Sequence, residues 1–367
     1  MNTKFVRVDK FFYEKYISGE SFKDNFILGQ EIPKIEMKEV KKLLKGRKVF
    51  YSLSHTSPHY HVQDRLIKNL LSKIPLNASA MAFRSGCNYL KYLEPHVSGT
   101  SFCRLDIISF FNSIKIEDFE SALIPYVKDE FVFDGKQKII DAIINSTSLE
   151  VDVKGEKKRF LPMGFKTSPV ISNIIFRRLD IIIQSFCSKN GITYTRYADD
   201  MLFSMQSNSN MLLTDYFIRE ISSLVSIMGF RINEEKYIAK TKMISINGYV
   251  IENKGVAGST GTIRLSNSKL ALVRKILWSL DKGLSEKTIC KKLLGINLKE
   301  KNFKYEAKKD KFEKKYYKDQ LKNSLGGYRS YLIGFIKFND DFRCIEKGFE
   351  KEIYDILPSI VKMINRL

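Results

Sequence analysis

Acidic residues are scarce in this sequence: 41 Asp and Glu stand against 62 Lys and Arg, a formal net charge of +21. Such a deficit disfavours a basic partner and suits a protein that tracks phosphate backbones. A Lys-rich proteome would leave the same imprint on an ordinary protein, and charge says nothing about fold. Cysteine is sparse too. The five (Cys87, Cys103, Cys187, Cys290, Cys344) have no paired spacing, which argues against a disulfide framework and a Cys-rich zinc site and suits a reducing cytoplasm. No run approaches the ~20 apolar residues that span a bilayer, and the first residues lack the apolar run of a signal peptide. A soluble, cytoplasmic protein is therefore expected. Internal repeats and strict low-complexity segments are absent, although 299–322 is Lys-rich enough to suggest a mobile or RNA-facing stretch.

The rest of the composition is that of a folded protein, 44% hydrophobic and 28% charged. A chain of 367 residues exceeds the size at which one core stops growing, so two or three subdomains are expected. Short helices are predicted before residue 45, as in Ile35 to Leu44. Residues 101–113 read as a buried strand passing into a helix, and 115–148 as helical from the spacing of Phe119, Leu123, Val127, Ile139, Ile140, Ile143 and Ile144. The alternation over 151–160 predicts a hairpin. Residues 168–188 predict an apolar helix with Ser168 as cap and Pro169 in its first turn. Strands Ile192 to Tyr197 and Met201 to Ser204 follow, then a helix from Leu212 to Met228 stopped by Gly229, and strands near Ile244–Ile251 and Thr262–Leu265. Beyond Ser266 the pattern is helical and basic.

Two acidic features carry the chemistry. Asp106 follows an apolar strand and precedes Phe110-Phe111; alone it could cap the next helix. Tyr197-Ala198-Asp199-Asp200 is different, because it sets adjacent acids in a tight turn between apolar strands. Adjacent carboxylates repel, and burial makes their charge costly, whereas an ordinary turn uses Asn-Gly or Asp-Gly. Divalent metal removes the cost: Mg²⁺ takes carboxylates together with substrate phosphates and water. Two such ions, ~4 Å apart, activate a hydroxyl and stabilise the leaving group of an in-line displacement.

These residues match a known family. Arg104-Leu105-Asp106-Ile107-Ile108-Ser109-Phe110-Phe111 resembles motif A of reverse transcriptases, the stretch from Leu161-Pro162-Met163-Gly164 through Ser168-Pro169 to Asn173 resembles motif B, and Tyr197-Ala198-Asp199-Asp200 resembles motif C. The resemblance is to the bacterial retron and group II intron branch and extends weakly from residue 40 to the end. It implies an α+β right-hand polymerase: N-terminal region and fingers over 1–100, palm over 101–114 and 161–262 with an antiparallel ferredoxin-like sheet, a fingers insertion over 115–160, and a basic helical thumb over 263–367. It implies an RNA-directed DNA polymerase that uses dNTPs and two Mg²⁺ ions, or Mn²⁺, on a dedicated non-coding RNA, in antiphage defence, with an effector protein encoded nearby as a further partner. No maturase or endonuclease domain is seen after the thumb.

The resemblance also implies roles. Asp106, Asp199 and Asp200 would be the catalytic and metal-site carboxylates, Asp106 and Asp199 binding both metals with the Ile107 carbonyl helping, and Asp200 at the rim, tuning the site. Phe111 matches the steric gate against a 2′-hydroxyl, and would serve equally as a core residue. Lys236 resembles the motif D lysine, a candidate proton donor to pyrophosphate. Arg47, Lys48 and Arg84 would hold the triphosphate, Arg by a bidentate fork and Lys as a point charge; a solvated basic face is the plainer reading. Met163 and Gly164 would lie under the incoming nucleotide, and Ser168, Pro169 and Tyr197 along the nucleic acid. Tyr328 and Arg329, beside Gly326-Gly327, would contact template–primer, although a helix packing through Gly326 would need the same residues. Met163 stands where many members have Gln. Of the elements typical of retrons, only His96 and Gly248 match, so a retron and another defence-associated reverse transcriptase both stay open. Template-independent or protein-primed synthesis of the abortive-infection type is a second reading, and an inactive RNA-binding scaffold a third. His55, His59 and His61 lack a supporting acid or Cys for zinc; Ser57-Pro58 marks a loop there, better suited to RNA contact.

Overall fold

The computed structural model describes residues 7–22, 30–46, 48–132, 136–153, 155–206, 209–255, 260–298 and 309–367. It divides into two units. One comprises Met1–Tyr92, Cys103–Ser204 and Ser209–Ala239; the other comprises Leu93–Phe102, Met205–Asn208 and Lys240–Leu367.

The first unit opens with helix α1 (Lys10–Phe12), capped by the Asp9 carboxylate and continued by a π-helical turn Tyr13–Ser18. A short 3₁₀ turn, Met37–Glu39, leads into strand β1 (Val40–Lys45), paired antiparallel with β2 (Lys48–Leu53). The second half of the helix predicted over Ile35 to Leu44 is thus strand: cross-strand pairing from Val40↔Leu53 to Lys45↔Lys48 supplies partners that local propensity cannot foresee. Helix α2 (Pro58–Asn69) starts on Pro58, so the predicted histidine loop is a helix N-terminus whose first turn proline suits. His59 is buried on it, 3.3 Å from the Ser146 hydroxyl, and burial lowers its pKa to about 4.

Helix α3 (Tyr89–Leu93) precedes strand β3 (Ser101–Asp106), followed by a 3₁₀ turn Phe110–Ser113 and helix α4 (Ile116–Leu123). The predicted helical run to 148 is broken by a small hairpin, β4 (Phe131–Val132) with β5 (Gln137–Lys138), before α5 (Ile139–Thr147). Periodicity on either side of the break hid it. The predicted hairpin is present as β6 (Leu149–Val153) and β7 (Glu156–Phe160). Helix α6 (Ser168–Lys189) buries Ile171, Ile174, Ile175, Leu179 and Ile183, the stripe of a helix seated on a core. Its cap position is Thr167; Ser168 is already helical and its hydroxyl donates to the Pro162 carbonyl at 2.7 Å.

Strands β8 (Ile192–Tyr197) and β9 (Asp200–Met205) complete the central sheet, ordered β10-β3-β9-β8 with β10 (Ile238–Thr241). Every residue of β9 is buried, as its run Met201-Leu202-Phe203 demands. Helix α7 (Asp215–Ser226) is shorter than the predicted Leu212–Met228, because a 3₁₀ turn, Met211–Leu213, occupies its start. Behind the sheet, Phe110, Phe176 and Phe230 form a mutually packed trio with ring centroids 5.1–5.7 Å apart.

The second unit holds the antiparallel sheet β11 (Met243–Ile246), β12 (Tyr249–Glu252) and β13 (Thr262–Leu265). Helices α8 (Asn267–Asp281), α9 (Glu286–Leu294), α10 (Lys309–Phe342) and α11 (Lys347–Arg366) follow. Part of the Lys-rich stretch, 299–308, lies outside the described residues; its remainder belongs to α10. No helix among the described residues is long and apolar enough to cross a membrane.

Candidate active site

The two acidic motifs meet where β3 ends and β9 begins. The Ile107 amide donates to the Asp199 carbonyl at 3.0 Å, joining segments far apart in sequence. On the other flank, the Asn233 amide donates to the Asp106 carbonyl at 2.7 Å and the Ile108 amide to the Arg231 carbonyl at 2.9 Å. Asp106 is therefore clamped from both sides. The turn between β8 and β9 is closed by Ala198, in the left-handed region at φ 58°, and Ser109 adopts φ 49° just beyond motif A. Non-glycine residues adopt such angles at a cost of order 1 kcal/mol each, and they concentrate at functional sites.

Asp106 and Asp200 are nearly buried, at 4% and 7% exposure, and Asp199 is half-buried. Burial raises the Asp199 pKa, and the neighbouring Asp200 and Asp106 charges push the same way, while Lys48 opposes them. Asp200 is not at a rim. It is the first residue of β9, and the Arg104 guanidinium donates to its Oδ1 through Nε at 2.9 Å and through Nη2. Arg104 is two residues before Asp106 on one strand, so the period-2 alternation puts both on one face, and its Nη2 lies 3.8 Å from Asp106 Oδ1. Burial works against the Arg104 charge, but Asp200 outweighs it and raises the pKa. Lys236, on a 3₁₀ turn Glu234–Lys236, sets its ammonium 3.1 and 3.0 Å from the two Asp106 oxygens.

Behind the turn lies a fully buried charge. Arg196 donates from Nε and Nη2 to the two Asp180 oxygens at 2.9 and 2.7 Å, and Tyr194 donates to the same carboxylate at 2.8 Å. The Arg196 carbon also sits 4.4 Å from the Phe176 ring centroid, a cation–π contact. Arg104, Arg196, Asp180 and Asn233 escaped the sequence reading. The available signal was a charged residue interrupting an otherwise apolar strand or helix stripe, which is rarely buried without a partner.

Other expected residues lie nearby in the first unit. Phe111 is half-buried, its ring 6.4 Å from that of Phe83. The Met163 carbonyl accepts from the Tyr51 amide at 2.7 Å, and Gly164, at φ 105°, passes so close to strand β2 that an added Cβ would lie 2.6 Å from the Tyr51 carbonyl oxygen. Ser168 is buried, and Pro169 stands in the first turn of α6. Tyr197 packs against Tyr89 and Tyr92, with centroids 4.9 and 5.7 Å apart. Lys48 and Arg84 are exposed, Arg84 with a long 3.4 Å bond to the Asn77 carbonyl. Arg47 lies outside the described residues. Tyr328 and Arg329 belong to α10 of the second unit; Arg329 is exposed, and burial raises the Tyr328 pKa.

A divalent cation fits the carboxylates only as a shared site. Among the described residues no three His, Cys, Asp or Glu side chains converge closely enough to enclose a metal. Mg²⁺ is commonly held by one or two carboxylates completed by substrate phosphate and water. Asp199, whose ionisation burial and the neighbouring acids oppose, is the carboxylate a cation would relieve, whereas Asp106 is already compensated by the Lys236 ammonium.

The chain is similar to several known proteins. The family described as reverse transcriptase (RNA-dependent DNA polymerase) matches residues 40–305. Retron Ec83 reverse transcriptase of Escherichia coli is 29% identical over 222 residues, covering 58% of this chain and 64% of that protein. Retron Ec73 reverse transcriptase of Escherichia coli is 29% identical over 242 residues, covering 64% of this chain and 72% of that protein. The match thus spans less than two thirds of the first relative's length. A solved telomerase from Candida albicans covers 90% of this chain and 65% of its own at 11% identity, with a TM-score of 0.44. With its α+β fold, the motif order of its sequence and a family match over most of its length, the chain belongs to the reverse transcriptase family.

Proposed function

We propose that this protein is an RNA-directed DNA polymerase that extends a 3′-hydroxyl with dNTPs. The observation that carries the reading is the single hydrogen bond from the Ile107 amide to the Asp199 carbonyl, which brings two acids 93 positions apart in the chain (199 − 106) to one sheet edge. Bound Mg²⁺ or Mn²⁺ would supply the positive charge that activates the hydroxyl and stabilises the leaving pyrophosphate. Asp106 and Asp199 are its ligands, with the Ile107 carbonyl. Asp200, held by Arg104, is an anionic prop that orients the guanidinium beside Asp106. Lys236 keeps Asp106 compensated and is a proton donor to the leaving group.

Substrate binding is assigned on the same basis. Phe111, braced by Phe83, faces the sugar as a gate. Lys48, with Arg47 and Arg84, takes the triphosphate, a role favoured by the electrostatic action of Lys48 on Asp199. The Met163-Gly164 turn, strapped to β2, lies under the nucleotide; Ser168, Pro169 and Tyr197 line the nucleic acid, and Tyr328 and Arg329 contact the duplex. In this reading 1–100 and 115–160 are fingers, 101–114 and 161–262 palm, and 263–367 thumb. The likeness to retron enzymes supports a dedicated non-coding RNA as template and primer, a cytoplasmic setting and a role in antiphage defence alongside an effector protein.

Sequencing the nucleic acid that co-purifies with the wild type and with Asp199→Ala/Asp200→Ala tests this. DNA complementary to one bound RNA, present only with the wild type, is the expected result. Untemplated or repetitive DNA would transfer the reading to template-independent or protein-primed synthesis. Identical samples would sink the polymerase reading and leave an RNA-binding scaffold.

A further inference from the structure

Arg196 is the largest fully buried side chain of the first unit and carries a charge, with no solvent contact at all. Replacing a buried ion pair by well-packed apolar groups is often neutral or stabilising, so stability alone is a poor reason to keep one. The third and fourth contacts of this guanidinium indicate what else it does. Nη1 donates to the Ala198 carbonyl at 2.9 Å, and Nη2 also reaches Asn173 Oδ1 at 3.1 Å. We propose that Arg196 is a positioning residue for the nucleotidyl-transfer site, holding the Ala198–Asp199 turn against helix α6 and tying it to the rings at the sugar gate.

The Ala198 carbonyl belongs to the peptide that enters Asp199, and the Asp199 carbonyl belongs to the peptide that leaves it. Arg196 holds the first and the Ile107 amide holds the second. With both flanking peptide planes pinned, the direction in which the Asp199 side chain departs is set, although its neighbour Ala198 occupies a strained left-handed conformation. The link to the gate runs through Asn173. Its Nδ2 donates to the Ala82 carbonyl at 2.7 Å, and the next residue, Phe83, at φ 55°, packs on Phe111. Backbone bonds reinforce it: the Arg196 amide donates to the Ser79 carbonyl and the Met81 amide to the Arg196 carbonyl, each at 2.8 Å. One residue thereby anchors both the acidic turn and the segment carrying the ring that backs Phe111.

The inference rests on the polymerase reading, and the test separates the two. Arg196→Met with Asp180→Asn removes both buried charges, leaves an acceptor for the Tyr194 hydroxyl, and cuts the ties to Ala198 and Asn173. Arg196→Lys keeps a cation for Asp180, but its single nitrogen cannot also span Ala198 and Asn173. Each variant is compared with the wild type by thermal melting, by Mn²⁺ binding without nucleotide (electron paramagnetic resonance), and by kcat and dNTP KM. Folded variants that bind Mn²⁺ about tenfold more weakly, lose about tenfold or more in kcat and raise the dNTP KM are expected, the loss of one charge-assisted hydrogen bond. A folded variant of either kind with wild-type Mn²⁺ affinity and turnover overturns the proposal. If the double variant fails to fold, Arg196→Lys decides. A wild type that binds Mn²⁺ but incorporates no nucleotide overturns the polymerase reading instead, and the Mn²⁺ comparison still decides the role of Arg196.

Discussion

Asp199, the proposed metal ligand, carries an electrostatic cost in the folded chain. Burial and the neighbouring acids raise its pKa above the ordinary value of 3.8. A carboxyl raised on folding stabilises fully below its unfolded pKa, and that stabilisation is lost as pH rises through the folded value. At pH 7 the folded carboxylate therefore sits at a cost. Asp199→Asn is expected to raise the melting temperature at pH 7, with the advantage fading as acidification protonates the wild-type carboxyl. The same change removes a proposed metal ligand worth several kcal/mol, so incorporation should fall on the order of a thousandfold. Melting curves from pH 4 to 8 beside a primer-extension assay check both; a less stable Asn variant at pH 7 would refute the electrostatic account.

At the scale of elements, the turn of motif B is specified by a close approach. Gly164 combines φ 105° with a Cβ position 2.6 Å from a backbone oxygen of β2, whereas Gly155 at φ 88° in the β6–β7 turn has open space around it. Gly155→Ala is expected to cost about 1 kcal/mol through its backbone angle alone, and Gly164→Ala about 2–4 kcal/mol because backbone must also move. Urea midpoints of the two variants give the comparison, and equal costs would show that β2 yields freely. The same pair explains why sequence reading works unevenly for elements. Helix α6 and strand β9 were legible because a long apolar period or run leaves few alternatives. Strand β1 was read as helix because Val40-Lys41-Lys42-Leu43-Leu44 has no period-2 signature, and only pairing with β2 makes it a strand.

For the whole molecule, the excess of cations governs association more than folding. A chain of formal charge +21 that neutralises phosphates releases their counterions, with a salt slope of about −0.7 per phosphate contacted on a single strand. Affinity for a structureless RNA should therefore fall by two orders of magnitude or more between about 50 and 200 mM salt if roughly five or more phosphates are held. Titrations over that range read the slope, and a flat response would mean that the excess charge faces away from RNA. Affinity for a dedicated RNA should fall less steeply than a purely electrostatic account predicts, because stacking and base contacts do not depend on counterions.

The sequence by itself pointed to the candidate acids. Asp199-Asp200 stood out because adjacent carboxylates in a turn between apolar strands are too costly without a compensating charge, and Asp106 joined them through its resemblance to motif A. Tertiary structure decided which cations supply that charge and where. Arg104 reaches Asp200 across two strands, Lys236 reaches Asp106 over 130 positions, and Arg196 joins a helix to a turn. Each is one cation among 62 in the sequence. Lys236 was marked in the sequence only by its resemblance to motif D, and nothing local marks Arg104 or Arg196, because the partner each cation meets is a property of the packed chain alone.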